Sequence, residues 1–312
     1  MSQSGRNASP AAPILRALIP AAGHGVRLLP ATRAQAKEML PLGVTPVIQL
    51  VAEELLHAGV QSVLVVTGRG KESIENHFDG SAPVDDTSAP AHSVFDRHAI
   101  QFLYTRQEVP RGLGDAILHG ESFVGDQNFV VALGDCVIAG NGEPSLLQRA
   151  IATHVERGAA ATVAVQLVRP EQTRRYGMLA LGADLGGAFA VRGLVEKPGP
   201  EKTPSLWAVS ARYIFSPAIF EYLHRAQPGY GGEIQVTDSI HAMAQYGLPV
   251  LAVPLGEKEF RLDVGNKESY ARAFMRTVLT DAEVGADLRQ YAGDLLSYLA
   301  GDRDSDPDRA AR

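Results

Sequence analysis

Three observations predict an α/β fold with a mixed, mostly parallel sheet flanked by helices. Short apolar runs of strand length recur at 17–22, 62–67, 100–105 and 128–133. These runs are almost continuously apolar, as expected of strands covered on both faces. Amphipathic stretches of helical period lie between them, which is the grammar of alternating strands and crossover helices.

Taken in order, residues 1–13 are rich in Ser, Ala, Pro and Gly and predict a disordered tail. The folded domain is set at 14–280, followed by a C-terminal helix within 281–300 and a second disordered tail at 301–312. Thr45 as N-cap, Pro46 as first helical residue and Gly59 just past the end delimit the first helix. Val47, Val51, Leu55 and Ala58 share one of its faces and are expected to pack on the sheet. A short helix at 71–78 precedes a polar, Pro-containing surface loop at 80–93.

Beyond Asp135 the alternation loosens. A helix is expected at 145–157, then strands near 162–167, 178–181, 190–195 and 207–215, and helices at 217–225 and 237–246. A strand at 249–254 and a helix from Lys267 follow. The last amphipathic segment, 282–299, carries Val284, Leu288, Tyr291, Leu295 and Leu299 near one stripe, which could meet its own domain or a second subunit.

Composition narrows the function classes. With 45% apolar residues in 312, the chain can bury a sizeable core. A net charge of -6 argues against non-specific nucleic-acid binding, so any anionic ligand must be met by a local cluster of cations. The single cysteine, Cys136, excludes an intramolecular disulfide and a cysteine-based zinc cluster, which fits the cytoplasm; core packing is its expected role. No stretch approaches the roughly 20 apolar residues of a membrane helix, so no membrane association is expected.

The chemistry is concentrated at 18–41, LIPAAGHGVRLLPATRAQAKEMLP. Gly23 and Gly25 let the backbone approach a ligand, and Arg27 and Lys37 can neutralise phosphate. A dinucleotide fingerprint would need a small residue where Leu28 stands, and neither Gly23 nor the GRGKES run at 68–73 meets the lysine-hydroxyl spacing of a Walker A loop. The segment instead resembles the signature of sugar nucleotidyltransferases, a glycine-rich turn bearing an arginine with a lysine ten residues on.

Through LLPATRAQAKEMLP it resembles, more narrowly, the bacterial UDP-glucose pyrophosphorylases. SIENHFD at 73–79, RGLGDAIL at 111–118, LGDCVI at 133–138, YGML at 176–179, VEKP at 195–198, GEIQVTDSI at 232–240 and LDVGNKESY at 262–270 are similar to that family in the same order. The resemblance covers about residues 14–280. It implies the nucleotide-diphospho-sugar transferase fold, Rossmann-like, and transfer of a uridylyl group from UTP to glucose 1-phosphate with Mg²⁺, giving UDP-glucose and pyrophosphate. Such chemistry rests on positioning and charge neutralisation, so no nucleophilic triad is needed.

The roles follow by matching positions. Arg27, Lys37 and Lys197 are implied to act on the phosphates, and Asp135 and Asp263 to hold the metal. Backbone near Ala22, Gly23 and Gly25 with Glu38, Gln107 and Gly112 is implied to bind the nucleotide, and Gly177, Glu196 and Lys197 the sugar phosphate. Enzymes of the resembling family commonly form dimers or tetramers, so a homo-oligomer is expected. His24 and Trp207 are read as non-catalytic.

Several positions depart from the pattern. Val26 replaces the usual threonine before the arginine, Arg33 a lysine and Ala36 a proline. Ala211 stands where glycine is common, and Gly232 where an acidic residue is. Two alternatives therefore stand beside the first reading: the same chemistry with another sugar 1-phosphate or nucleoside triphosphate, and a non-catalytic regulatory paralogue.

Overall fold

The apolar run after residue 15 forms β1 (Arg16–Pro20), and its alternation divides the molecule: Ala17 and Ile19 face one hydrophobic core, Leu18 the other. The computed structural model describes residues 13–79, 99–140 and 142–301 together with Pro307. The tails expected at 1–13 and 301–312, apart from Pro13, Gly301 and Pro307, and the loop expected at 80–93 lie outside the described residues.

A short ribbon, β2 (Pro41–Leu42) and β3 (Thr45–Pro46), leads into α1 (Val47–His57). This corrects the expected helix start by one residue. Leu42 pairs with Thr45 and the Val47 amide donates to the Leu40 carbonyl, so Thr45 stays extended and Pro46 becomes the N-cap. There follow β4 (Ser62–Thr67), α2 (Glu72–Asp79), β5 (Gln101–Arg106), α3 (Leu113–Leu118), α4 (Glu121–Val124) and β6 (Phe129–Ala132). Next come β7 (Cys136–Gly140), α5 (Leu146–Glu156), β8 (Ala161–Leu167), β9 (Gly177–Asp184), β10 (Phe189–Glu196) and β11 (Trp207–Phe215). The chain continues through α6 (Ala218–Arg225), α7 (Val236–Gln245), β12 (Val250–Pro254), β13 (Glu259–Asp263), α8 (Lys267–Leu279) and α9 (Gly285–Leu299).

The central sheet has nine strands in the order β5-β4-β1-β6-β11-β8-β12-β10-β9. The β5-β4-β1-β6 half is wholly parallel, and across the sheet only β10 and β11 run against the rest. The sheet is therefore mixed and mostly parallel in strand direction, as expected. Buried side chains of α1, α2, α5 and α8 fill one core, and those of α3, α4, α6 and α7 fill the other. This two-sided burial explains why the strand sequences are nearly continuous apolar runs.

The short strands β7 and β13 escaped sequence reading and matter most for the site. They pair antiparallel outside the main sheet, with Asp263 opposite Cys136. A buried Arg212 on β11 forks onto both carboxylate oxygens of Glu54 on α1 and donates to the Cys136 carbonyl, fastening the start of β7 to the sheet. Trp207 packs against the Phe189 ring at 5.6 Å, in keeping with a structural role.

Candidate active site

In an open α/β sheet, ligands gather beyond the C-terminal ends of the parallel strands. Ala22 and Gly23 follow β1, Gln107 follows β5 and Asp135 follows β6, so these three segments share one edge of the parallel half. The glycine loop turns sharply because Gly25 adopts φ 65°, a left-handed conformation that glycine takes without strain. Thr32 Oγ1 donates to the Gly25 carbonyl at 2.8 Å and braces that turn. Val26, next to it, is 66% exposed, so the hydroxyl missing there is not one this turn depends on.

From the same loop, Lys37 Nζ reaches 2.5 Å from Asp135 Oδ2 and 3.9 Å from Glu38 Oε1. Burial alone would lower the Lys37 pKa, but the Asp135 and Glu38 carboxylates outweigh it and hold the ammonium above its usual range. Burial would likewise raise the Asp135 carboxyl, yet the charge and hydrogen bond of Lys37 hold it below the usual carboxylate range. Glu38 is almost wholly enclosed, and its Oε2 accepts from Lys71 Nζ at 2.7 Å. Its desolvation raises the carboxyl despite the two lysines.

A cleft of about 1350 Å³ opens beside Asp135. Arg27, Asp135, Gly177, Glu196, Lys197 and Asp263 all line it. Ala22, Gly23, Gly25, Lys37, Glu38, Gln107 and Gly112 do not line this cleft, and Lys37 joins the two groups through Asp135. The β7–β13 ribbon brings the two aspartates into neighbouring segments: the Val264 amide donates to the Asp135 carbonyl at 2.9 Å. Asp263 is held by Arg261, whose Nη2 lies 2.8 Å from Oδ1, and by the Gly265 amide on Oδ2. Arg261 in turn donates to the buried Cys136 Sγ and stacks over the Tyr176 ring at 4.8 Å.

On the opposite wall, Lys197 Nζ stands 3.1 Å from Glu196 Oε1 and 4.8 Å from the Tyr230 ring centre. Thr237 Oγ1 donates to Glu196 Oε2 at 2.9 Å. Gly177 allows this close packing, because a Cβ there would come within 2.5 Å of the Thr237 methyl. Lys197 and Ala211 are the non-glycine residues with positive φ among those described, at 46° and 59°, and both line the cleft. Backbone strain of this kind concentrates at functional sites.

The surroundings of the two aspartates bear on whether they could hold a hard cation. Each already faces a cation, Lys37 for Asp135 and Arg261 for Asp263, so a bound metal would compete with that cation for the carboxylate oxygens. Among the described residues no group of three or more His, Cys, Asp or Glu gathers around one point, which disfavours a closed protein cage. Two oxygen donors with room for phosphate and water suit Mg²⁺.

Arg261, Tyr176, Thr237 and Lys71 went unassigned by sequence reasoning. Tyr176 and Thr237 lie inside quoted motifs and could have been found there; Lys71 sits after Gly70 with no spacing signal. His24 is exposed.

A glycine-rich loop at the ends of parallel strands, joined by an ion pair to a large cleft lined by carboxylates and cations, is an arrangement suited to a nucleotidyltransferase. The family model described as nucleotidyl transferase matches residues 16–279. The chain belongs to this family. It is 42% identical over 267 residues to a UTP–glucose-1-phosphate uridylyltransferase of Pseudomonas aeruginosa, covering 83% of this chain and 94% of that protein. It is 38% identical to one of Streptococcus pyogenes, with 89% and 93% covered. A crystal structure of a UDP-glucose pyrophosphorylase complexed with UDP-glucose is similar at a TM-score of 0.80 and 35% identity, covering 86% of this chain and 100% of that one. A UTP-bound UGPase from Acinetobacter baumannii is similar at a TM-score of 0.77 and 30% identity, with 89% and 98% covered.

Proposed function

We propose that the chain transfers the uridylyl group of UTP to glucose 1-phosphate, giving UDP-glucose and pyrophosphate. The observation that carries this reading is the Lys37–Asp135 contact, which joins the nucleotide loop to the cleft lined by Glu196 and Lys197. Relatives that cover nearly their whole length and bear this activity in their names support it.

In this reading the base lies over Ala22 and Gly23, bounded by Gln107 and Gly112, with Glu38 buried beneath as the partner of Lys71. Arg27 and Lys37 hold the triphosphate, and Arg27 follows charge onto the leaving pyrophosphate. Glu196 accepts from sugar hydroxyls while Lys197 holds the sugar phosphate, so that one of its oxygens faces the α-phosphate. Asp135 and Asp263 would hold Mg²⁺, which when bound supplies charge neutralisation at the phosphate oxygens. The apolar residues Leu296 and Leu299 of α9 are 68% and 71% exposed, which supports a homo-oligomer built through that helix. No helix among the described residues is long and apolar enough to cross a membrane. The reduced, buried Cys136 suits the cytoplasm, where we place the enzyme.

The test is pyrophosphate release from UTP and a panel of sugar 1-phosphates with and without Mg²⁺. Turnover with glucose 1-phosphate that EDTA abolishes and Mg²⁺ restores is expected, and Asp135→Asn and Asp263→Asn should each remove it. Faster turnover with another sugar 1-phosphate would replace glucose in the reading, and no turnover with any pair would sink it.

A further inference from the structure

Gln107 continues β5 beyond its last strand residue: its amide donates to the Thr67 carbonyl at the end of β4. It is 3% exposed, so the orientation of its side chain is fixed by its neighbours. Those neighbours are acceptors. Nε2 lies 2.6 Å from Asp115 Oδ2 and 3.4 Å from the Gly112 carbonyl. An ionised carboxylate and a carbonyl can only accept, so the amide NH₂ must face them and the assignment of N and O is forced by chemistry. Oε1 therefore occupies the other edge, and no described residue donates to it.

Asp115 reaches this position because the chain doubles back. The segment after β5 returns at Gly112, where α3 begins, and Asp115 sits in the first turn of that helix. The Gly114 amide donates to the Ile234 carbonyl and the Ile234 amide to the Arg111 carbonyl, which pins the turn to the strand-like segment before α7. His119 Nε2 is 3.8 Å from the same Asp115 oxygen, outside hydrogen-bond reach, so Gln107 is the close partner of that carboxylate.

We infer that Asp115 is a positioning residue for base selection: by holding the Gln107 amide nitrogen, it leaves only an acceptor, Oε1, to meet the base. This rests on the uridylyl reading, in which Gln107 borders the base. Uracil and thymine carry an N3–H donor that such an acceptor satisfies. Cytosine presents a lone pair at N3, which would face Oε1 with no proton between them. A glutamine free to rotate could turn its NH₂ to cytosine; one held by a carboxylate cannot. The pair therefore selects imide pyrimidines and is indifferent to a methyl at C5.

The test measures kcat/KM for UTP and CTP, together with calorimetric binding of UDP and CDP, in the wild type, Asp115→Asn and Asp115→Ala. Asparagine at 115 is nearly isosteric but can accept or donate, so it no longer dictates the amide orientation. The UTP-to-CTP preference should fall about tenfold in both variants, the worth of about one hydrogen bond. The loss for UTP should lie in KM, with kcat nearly unchanged, because the base is remote from the reacting phosphate. The UDP-to-CDP binding ratio should fall in parallel. A merely structural Asp115 would weaken both nucleotides alike. If the wild type favours UTP and the ratio is unmoved in both folded variants, the role of Asp115 is overturned while the uridylyl reading stands. A wild type that favours the cytidine nucleotides would overturn the proposed orientation and that reading together.

Discussion

Lys37 Nζ and Asp135 Oδ2 stand 2.5 Å apart although 98 residues separate them in sequence, so a loop after β1 and the end of β6 share one ion pair. Both side chains are mostly enclosed, at 16% and 19% exposure, which lets each charge act strongly on the other. The pair neutralises each partner, and in the proposed reaction phosphate and metal would exchange with it.

Removing one member should be worse than removing both. Lys37→Met leaves Asp135 without its close cation and is expected to destabilise the fold by about 3 kcal/mol. The Lys37→Met/Asp135→Asn double variant should recover most of that in urea unfolding, yet neither protein should retain more than about 1% of kcat/KM. The pH signs agree with a pair intact at neutrality. The lowered Asp135 contributes above its usual range and loses that contribution as pH falls through its folded value. The raised Lys37 contributes below its usual range and loses it as pH rises past its folded value. The contribution of the pair to wild-type stability should therefore be nearly flat from about pH 5 to pH 9, whereas Lys37→Met, whose buried Asp135 is left uncompensated, should lose stability as pH rises and that carboxyl ionises.

The turn at Gly25 depends on Thr32, whose hydroxyl bonds the Gly25 carbonyl, and not on the exposed position 26. Thr32→Val should cost about 1 kcal/mol and raise the KM for UTP, since it loosens the loop that carries Arg27. Val26→Thr should change stability by less than about 0.5 kcal/mol. A large rise in melting temperature for Val26→Thr would show that the turn is under-braced after all.

Ala211 combines φ 59° with a position on the cleft wall, inside the bulge where the β11–β8 register shifts. The left-handed conformation costs an alanine roughly 1–2 kcal/mol. Ala211→Gly relieves that strain but loses a buried methyl, about 0.8 kcal/mol, and adds about 0.5–1 kcal/mol of unfolded-state entropy. These terms nearly cancel, so stability should scarcely move. The KM for the sugar 1-phosphate should fall as the methyl leaves the wall. Ala211→Val has no such relief and should destabilise by more than about 2 kcal/mol, because a β-branched residue fits this region poorly.

How far the sequence reached follows from what each feature depends on. The central sheet was legible because two-sided burial writes strands as apolar runs, as in SVLVVT of β4. The sharp turn of the glycine loop was legible in the local spacing of Gly23 and Gly25. The partner of Glu38 was not, because Lys71 lies 33 residues on and meets it only in the assembled fold; Arg261 stands two residues from Asp263, but its pairing shows only once β13 is recognised as a strand. EFRLD of β13 alternates Phe260 and Leu262 with charges, but five residues are too few to separate a strand from a loop. The strain at Ala211 belongs to a bulge that only the folded sheet creates. Local preference makes Thr45 a helix cap, and strand pairing to Leu42 overrides it.

His154 on α5 supplies a prediction away from the site. Its ring is fully buried, with Nδ1 3.1 Å from Thr162 Oγ1 and Nε2 without a partner among the described residues. Burial pushes its pKa down to about 4 from the ordinary 6.5. The neutral ring is thus the native form, while the unfolded chain takes up a proton between those two values. Stability must fall as pH drops through this window, by about 3 kcal/mol in all if each unit is worth about 1.4 kcal/mol. His154→Leu should lose the Thr162 bond yet show a shallower decline from pH 6.5 to pH 4 in urea melts. Equal slopes for the two proteins would mean that the acid sensitivity arises elsewhere, with the carboxylates of the ion pairs as the next groups to test.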